Sequence, residues 1–202
     1  MKQPKYLRNM VPELKEKYGE ERAHTILNHA QSRYEALIEE NKDDPPAYFG
    51  QKRERIYPSI ALFDALLDAG AGREEAAAFV TDYYRRLSER ALPAIRAVLK
   101  IPGLYRLVPK LFFHTALKHC VPEAGFLTEN RFLSKSEMHF DIIKCPYQDS
   151  CVRYGCPELV KGFCETDDIC YGDMHPRLSW DRTKTLGRGD EVCDFKLRIT
   201  EK

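Results

Sequence analysis

The sequence lacks an excess of charge of either sign. Its 202 residues contain 32 Lys and Arg against 31 Asp and Glu, which gives a formal net charge of +1 at pH 7. Proteins that bind nucleic acid or anionic membranes usually present an excess of positive charge. This balance therefore argues against a general affinity for either, and we expect a small-molecule substrate and no nucleic-acid partner.

Long apolar runs are absent as well. No stretch reaches the roughly 18 consecutive apolar residues that a membrane-spanning helix needs, so we expect no membrane span. Residues Met1–Tyr6 contain no apolar core of the kind that a secretory signal requires. Together these absences predict a soluble, cytoplasmic protein. The oligomeric state is left open.

Closely spaced cysteine pairs are scarce, although the chain has seven cysteines. In a reducing compartment such thiols are free, catalytic or bound to metal. Structural zinc sites usually separate paired cysteines by about two to four residues, and only Cys151 and Cys156 have that spacing. No cofactor is expected on this basis, but a zinc ion or iron–sulfur cluster stays open as an alternative. Its ligands would come from Cys145, Cys151, Cys156, Cys164 and Cys170.

Helical periodicity dominates the first part of the chain. Apolar residues recur every three or four positions over 11–42, 56–69, 73–99 and 101–121, which predicts four helices. Pro93 is expected to kink or split the third helix, and Pro109 is expected to break the last one into two pieces. The last segment is both apolar and basic, so it fits a helix packed in the protein and, as an alternative, a helix on a lipid surface.

The pattern changes after Gly125. Residues 126–133 and 137–145 alternate with a period of two and predict strands, 147–164 predicts short helical turns, and 177–186 and 192–199 predict two further strands. We therefore expect an α+β fold. A helical part, 1–122, packs on a cysteine-rich part, 123–202, which holds an antiparallel sheet of about four strands with short helices inserted. The two parts are expected to form one compact unit.

Acidic residues accompany the thiols in this second part. Asp167 and Asp168 follow Cys164 closely, and Asp194 comes directly after Cys193. A thiol becomes a nucleophile as its thiolate, which needs a base, a cation or a helix N-terminus nearby. The alternative is that both cysteines are small buried apolar residues. Adjacent strand residues also point to opposite faces of a sheet, so Cys193 and Asp194 share one cleft only where the strand is irregular.

Five short motifs over residues 145–195 resemble one known family. In order they are Pro157-Glu-Leu, Cys164 followed by an Asp, Arg182-Thr-Lys-Thr-Leu, a Gly, and Cys193-Asp-Phe. This combination is similar to the L-2-amino-thiazoline-4-carboxylic acid hydrolase family. The resemblance implies a hydrolase that opens the 2-aminothiazoline ring of a cyclic cysteine derivative and forms N-carbamoyl-L-cysteine.

Such a reaction needs a nucleophile on the amidine carbon, a proton for the leaving group and stabilisation of charge. Either Cys164 or Cys193 attacks in this hypothesis, or an aspartate activates water. Asp167 is the expected general acid or base, Asp194 holds the cationic amidine, and Arg182 binds the substrate carboxylate through a bidentate pair. The expected catalytic residues are thus Cys164, Asp167, Cys193 and Asp194, and the expected substrate-binding residues are Arg182, His175 and Asp168.

Three other interpretations remain open at this point. The cysteine cluster is compatible with a metal-binding or redox protein. The same fold is also compatible with a small-molecule-binding module that catalyses no reaction. The third interpretation is the lipid-surface protein that uses the helix at 101–121.

Overall fold

The computed structural model describes residues 1–200, so Glu201 and Lys202 of the expected second part lie outside it. Its order of elements confirms the expected α+β class: helices come first, then a four-stranded antiparallel sheet with helices inserted between its strands. The helices are α1 Lys5–Tyr18, α2 Glu20–Glu40, α3 Pro46–Gln51, α4 Tyr57–Asp68, α5 Arg73–Leu99, α6 Val108–His119, α7 Pro146–Arg153 and α8 Glu158–Tyr171. The strands are β1 Leu127–Leu133, β2 Glu137–Lys144, β3 Leu178–Trp180 and β4 Cys193–Ile199.

Three helix boundaries show how local residues decide the fold. The predicted helix at 11–42 was wrong in being single, because Gly19 has φ 78° and separates α1 from α2. The expected split at Pro93 is also absent, since α5 continues from Arg73 to Leu99 with this proline inside it. Pro109 falls in the first turn of α6, where a missing backbone N–H costs little.

The sheet has the strand order β1-β2-β4-β3. On β2 and β4, Phe140 pairs with Phe195 and Ile142 with Cys193, so alternate side chains from both strands share one buried face. The predicted strand at 177–186 was too long, because only Leu178–Trp180 pairs with β4. Beyond Trp180 the chain leaves the sheet and its backbone is held by side chains instead.

Buried residues form two hydrophobic clusters. The first lies among α1, α2, α4 and α5, and it also takes in Cys151 of α7 and Leu159 of α8. The second lies between the buried face of the sheet and α6, with Phe140 and Phe195 stacked at 5.2 Å between ring centroids. Within residues 1–200, no helix combines the length and the apolar character that crossing a membrane would require.

Candidate active site

A cavity of about 590 Å³ lies where the two clusters meet. Its walls include Tyr84 and Leu87 on α5, one side of α6, Cys164 and Asp167 on α8, and the buried face of β2 and β4. The α6 residues that line it are Val108, Leu111, Phe112, Thr115, Ala116 and His119. These positions follow helical spacing, so a whole face of α6 covers the cavity.

Two of the predicted catalytic cysteines meet at the wall of this cavity. Cys164 of α8 and Cys193 of β4 are hydrogen-bonded to each other. The pKa of Cys193 is lowered because it accepts this bond, and the backbone N–H of Leu186, 3.2 Å from its Sγ, acts in the same direction against the cost of burial. The pKa of Cys164 is raised by the same bond to Cys193 and by burial. The arrangement therefore favours Cys193 as the thiolate and Cys164 as the donor.

Arg182 joins these cysteines to two carboxylates. Its Nε donates to Oδ1 of Asp168 at 3.1 Å, its Nη1 to Oδ2 of Asp167 at 3.0 Å, and its Nη2 to the carbonyl oxygen of Cys164 at 2.6 Å. The side chain is only 1% exposed. Because its donors are engaged inside the protein, this geometry favours a role for Arg182 in holding α8 against the sheet.

Asp167 differs from Asp168 in its surroundings. Asp168 accepts a further hydrogen bond from the indole N–H of Trp180 at 2.9 Å, whereas Asp167 faces the cavity. The two side chains are similarly exposed, at 34% and 35%. Desolvation by the surrounding protein is the main cause that raises the pKa of Asp167 to about 6, with Arg182 opposing and Asp168 adding to the rise. A carboxyl group with a pKa near neutrality can both donate and accept a proton.

The segment between β3 and β4 contains the Arg182-Thr-Lys-Thr-Leu motif and leads into the Cys193-Asp-Phe motif. Oδ1 of Asp194 accepts the backbone N–H groups of Thr183 at 2.9 Å and Lys184 at 2.6 Å, so it points away from the cavity and fixes this segment. Oδ2 of Asp190 accepts the N–H of Thr185 at 2.8 Å. The Leu186 N–H is thereby aimed at Cys193. At Gly187 a Cβ would lie 3.0 Å from Sγ of Cys164, so a side chain there would press on the thiol pair.

Two functional candidates were missed from the sequence. Arg55 lines the cavity beside Tyr147, whose hydroxyl donates to Oε1 of Gln51 at 2.6 Å. Among the residues that the structure describes, no carboxylate forms an ion pair with Arg55. His119 lines the cavity as well, and its Nδ1 lies 2.7 Å from the carbonyl of Thr115. Because a carbonyl oxygen only accepts, Nδ1 is the donor in this contact. Neither residue stands in a motif, so only the fold shows their position.

The remaining predicted residues lie elsewhere. His175 stacks on Tyr105 at 4.6 Å, and its Nδ1 accepts the backbone N–H of Arg177, so it does not line the cavity. The cysteines of the alternative metal set are dispersed: Cys151 and Cys156 are buried in the helical cluster, while Cys145 lines the cavity with Cys164. Within residues 1–200, no three His, Cys, Asp or Glu side chains form a group suited to holding a metal ion.

Comparison with known proteins gives one match. The model of the L-2-amino-thiazoline-4-carboxylic acid hydrolase family matches residues 50–197, which include all the walls of the cavity described above. Neither a curated protein nor a solved structure shows significant similarity to the chain. Because the family model spans well over half of the sequence, the chain belongs to the L-2-amino-thiazoline-4-carboxylic acid hydrolase family.

Proposed function

We propose that this protein hydrolyses a cyclic amidine of the thiazoline type, with Cys193 as the nucleophile. The observation that carries the proposal is the environment of Cys193: the backbone N–H of Leu186 donates to its Sγ and the Cys164 thiol adjoins it, at the wall of a cavity that also holds Asp167. Family membership supports a hydrolase function at the level of the family.

The identity of the product decides which bond breaks. In a 2-aminothiazoline-4-carboxylate, the reacting carbon bears the ring sulfur, the ring nitrogen and the amino nitrogen. N-carbamoyl-L-cysteine keeps both nitrogens, so the bond between that carbon and the ring sulfur is the one that breaks. The oxygen of water ends on the carbon, one proton ends on the ring nitrogen, and the other ends on the released sulfur.

In the first half of this reaction, the Cys193 thiolate adds to the amidine carbon. Asp167 in its protonated form supplies the proton of the ring nitrogen, which makes the carbon more electrophilic. The ring sulfur then leaves and takes a proton from the Cys164 thiol or from water. The product of this half is a carbamimidoyl group bound to Sγ of Cys193.

Water completes the reaction in the second half. Asp167, now a carboxylate, accepts one proton from a water molecule that attacks the same carbon. As the carbonyl forms, the second proton of that water returns to the group that protonated the ring sulfur, the Cys164 thiolate or bulk water. Cys193 leaves as a thiolate and recovers its hydrogen bonds from Cys164 and Leu186. One carboxyl group thus acts first as an acid and then as a base, for which a pKa of about 6 is well suited.

The substrate carboxylate is assigned to Arg55 in place of Arg182. Arg182 is enclosed by Asp167, Asp168 and the Cys164 carbonyl. Arg55 faces the cavity as a positive charge that attracts Asp167, but no carboxylate among the described residues forms an ion pair with it. A guanidinium can bind a carboxylate through two parallel hydrogen bonds. The carboxylate of the substrate then takes a place that no protein carboxylate occupies.

The experiment supplies the purified protein with 2-amino-thiazoline-4-carboxylic acid and follows N-carbamoylcysteine by mass spectrometry. We expect product, and in a rapid acid quench an increase in the mass of the protein that maps to Cys193. Product without any adduct on a cysteine would replace the covalent route with direct attack by water. Tight binding of the ring without product would favour the non-catalytic binding module.

A further inference from the structure

The cavity is much larger than the ring that the family name describes. A space of about 150 Å³ lined by apolar side chains is enough for a benzene-sized molecule, whereas this cavity measures about 590 Å³. An aminothiazoline ring with its amino and carboxylate groups would therefore fill less than half of it. The rest would hold water against apolar walls, which is unfavourable.

The unfilled space has a distinct composition. The groups that we assign to chemistry lie on α8, on β4 and before α4, while α5 and α6 contribute the apolar residues Leu87, Val108, Leu111 and Phe112 to the lining. Leu87 is 45% exposed and Leu111 is 59% exposed. These two leucines come from different helices, line the same cavity and are exposed to water. They therefore lie at the opening of the cavity, which we call its apolar mouth.

Helix α6 gives a second, independent observation. It carries Val108, Leu111, Phe112, Phe113 and Leu117, yet Pro109 is its single buried residue. An amphipathic helix normally buries its apolar face against the core. Here part of that face covers the cavity instead, so a ligand inside the cavity would complete the burial of α6.

We propose that the substrate of this protein carries an apolar group, about the size of a phenyl ring or a short alkyl chain, in addition to the cyclic amidine and the carboxylate. This inference rests on the proposed function, because it names the substrate class of the same site. The amidine lies at Cys193, the carboxylate lies at Arg55, and the apolar group lies between Leu87, Leu111 and Phe112. Burial of that group against α5 and α6 supplies binding free energy that the small ring lacks.

The test compares two substrates. One is the unsubstituted 2-amino-thiazoline-4-carboxylate and the other is the same ring with a benzyl group at ring carbon 5. Burial of an aromatic group of this size is expected to raise kcat/KM by roughly tenfold to a hundredfold over the unsubstituted ring. Leu111→Asp should reduce that ratio to near one, because a charge at the mouth opposes burial of the benzyl group.

Val152→Asp provides the matched control. Val152 is 54% exposed on α7 and does not line the cavity. Val152→Asp therefore introduces the same charge at a similarly exposed position, and it should leave the ratio of kcat/KM for the two rings as in the wild type. Circular dichroism verifies that both variants are folded. A wild-type protein that prefers the unsubstituted ring, or a Leu111→Asp variant with the wild-type ratio, would overturn the inference and leave the hydrolase proposal intact.

A binding measurement separates the two proposals. Calorimetry with Cys193→Ser measures the affinity for both rings when no turnover is possible. In one outcome the benzylated ring binds more tightly, Leu111→Asp abolishes that advantage, and the wild type turns over neither ring. That combination supports the apolar compartment and overturns the hydrolase proposal. Equal affinity for both rings overturns the apolar compartment.

Discussion

The protein contains two pairs of neighbouring thiols whose surroundings are opposite. Cys151 and Cys156 lie in the helical cluster, both 0% exposed, and the pKa of Cys151 is raised well above that of an ordinary thiol by its bond with Cys156 and by desolvation. Cys164 and Cys193 form a pair as well, but theirs lines a cavity, and one member has a lowered pKa.

The difference between the pairs comes from what surrounds the sulfur atoms. At the second pair, a backbone N–H from Leu186 and the positive charge of Arg182 stabilise a thiolate on Cys193. The first pair has the apolar neighbours of the helical cluster. Reactivity of a cysteine therefore follows from its environment, and the predictions below test the two pairs and the carboxyl group of Asp167 beside the second pair.

The largest expected effect is on turnover after Cys193→Ser. A serine hydroxyl does not ionise near neutral pH, so the covalent step should stop and kcat should fall by about 10⁴-fold or more. Cys151→Ser changes the same atom in the other pair and should keep kcat within about threefold. Steady-state kinetics of the two folded variants gives the comparison. Equal losses in both would mean that the pairs do not differ in function.

Asp167→Asn should have the next largest effect, because an amide neither donates the proton of the first half nor accepts that of the second. We expect a fall in kcat of about 10² to 10⁴-fold. In the wild type, attack needs Asp167 protonated and Cys193 ionised, so kcat/KM should follow a bell-shaped pH profile whose decline at alkaline pH comes from loss of the Asp167 proton. That decline should be missing from the pH profile of the variant. Its persistence would assign the titration to another group.

The same substitution should change how the free energy of unfolding depends on pH. The pKa of Asp167 is raised by folding, so its contribution favours the folded state below the unfolded pKa and is lost as the pH rises through about 6. From pH 5 to pH 8, the free energy of unfolding should therefore fall less in Asp167→Asn than in the wild type. The expected difference is about 1 kcal/mol after allowance for solvent screening. Chemical denaturation at both pH values measures this difference, which would vanish if Asp167 titrated normally.

A smaller effect is expected from Cys164→Ala. Removal of the thiol that donates to Cys193 should raise the pKa of Cys193, with a fall in kcat at pH 7 of about tenfold. The pH dependence of alkylation by iodoacetamide measures that pKa directly. Cys156→Ala removes the equivalent partner from the other pair and should leave the alkylation profile of Cys193 unchanged. An unshifted profile in Cys164→Ala would contradict the proposed donor role.

Several residues that we propose for the site were predicted from the sequence, because they lie close together in short motifs. Cys164 and Asp167 are three residues apart on one helix, and Cys193 lies in a strand with clear alternation, so local patterns identify them. Asp194 was predicted to hold the cationic amidine, although the same alternation argued against its sharing a cleft with Cys193. In the structure its carboxylate lies on the backbone N–H groups of Thr183 and Lys184, and Asp194 does not line the cavity.

Long-range packing decided what the sequence did not predict. Arg55 lies in a helical segment more than a hundred residues before Asp167, and it reaches the cavity only because that segment packs against α7 and places Arg55 beside Tyr147. Arg182 could equally bind a substrate or a protein carboxylate on chemical grounds, and only the position of Asp168 and Trp180 shows which one it holds. Burial and partner choice of this kind depend on tertiary contacts that a motif does not encode.

The smallest effect should come from Cys151→Ala in the buried pair. Loss of the sulfur atom from a fully buried position leaves a small void in the helical cluster, which should reduce the free energy of unfolding by about 1–2 kcal/mol. The values of kcat and KM should stay within twofold of the wild type. Urea denaturation and steady-state kinetics on the same preparation separate the two readouts. A variant with wild-type stability and no turnover would reverse the assignment, because the buried pair would then have the functional role that we give to Cys193 and Cys164.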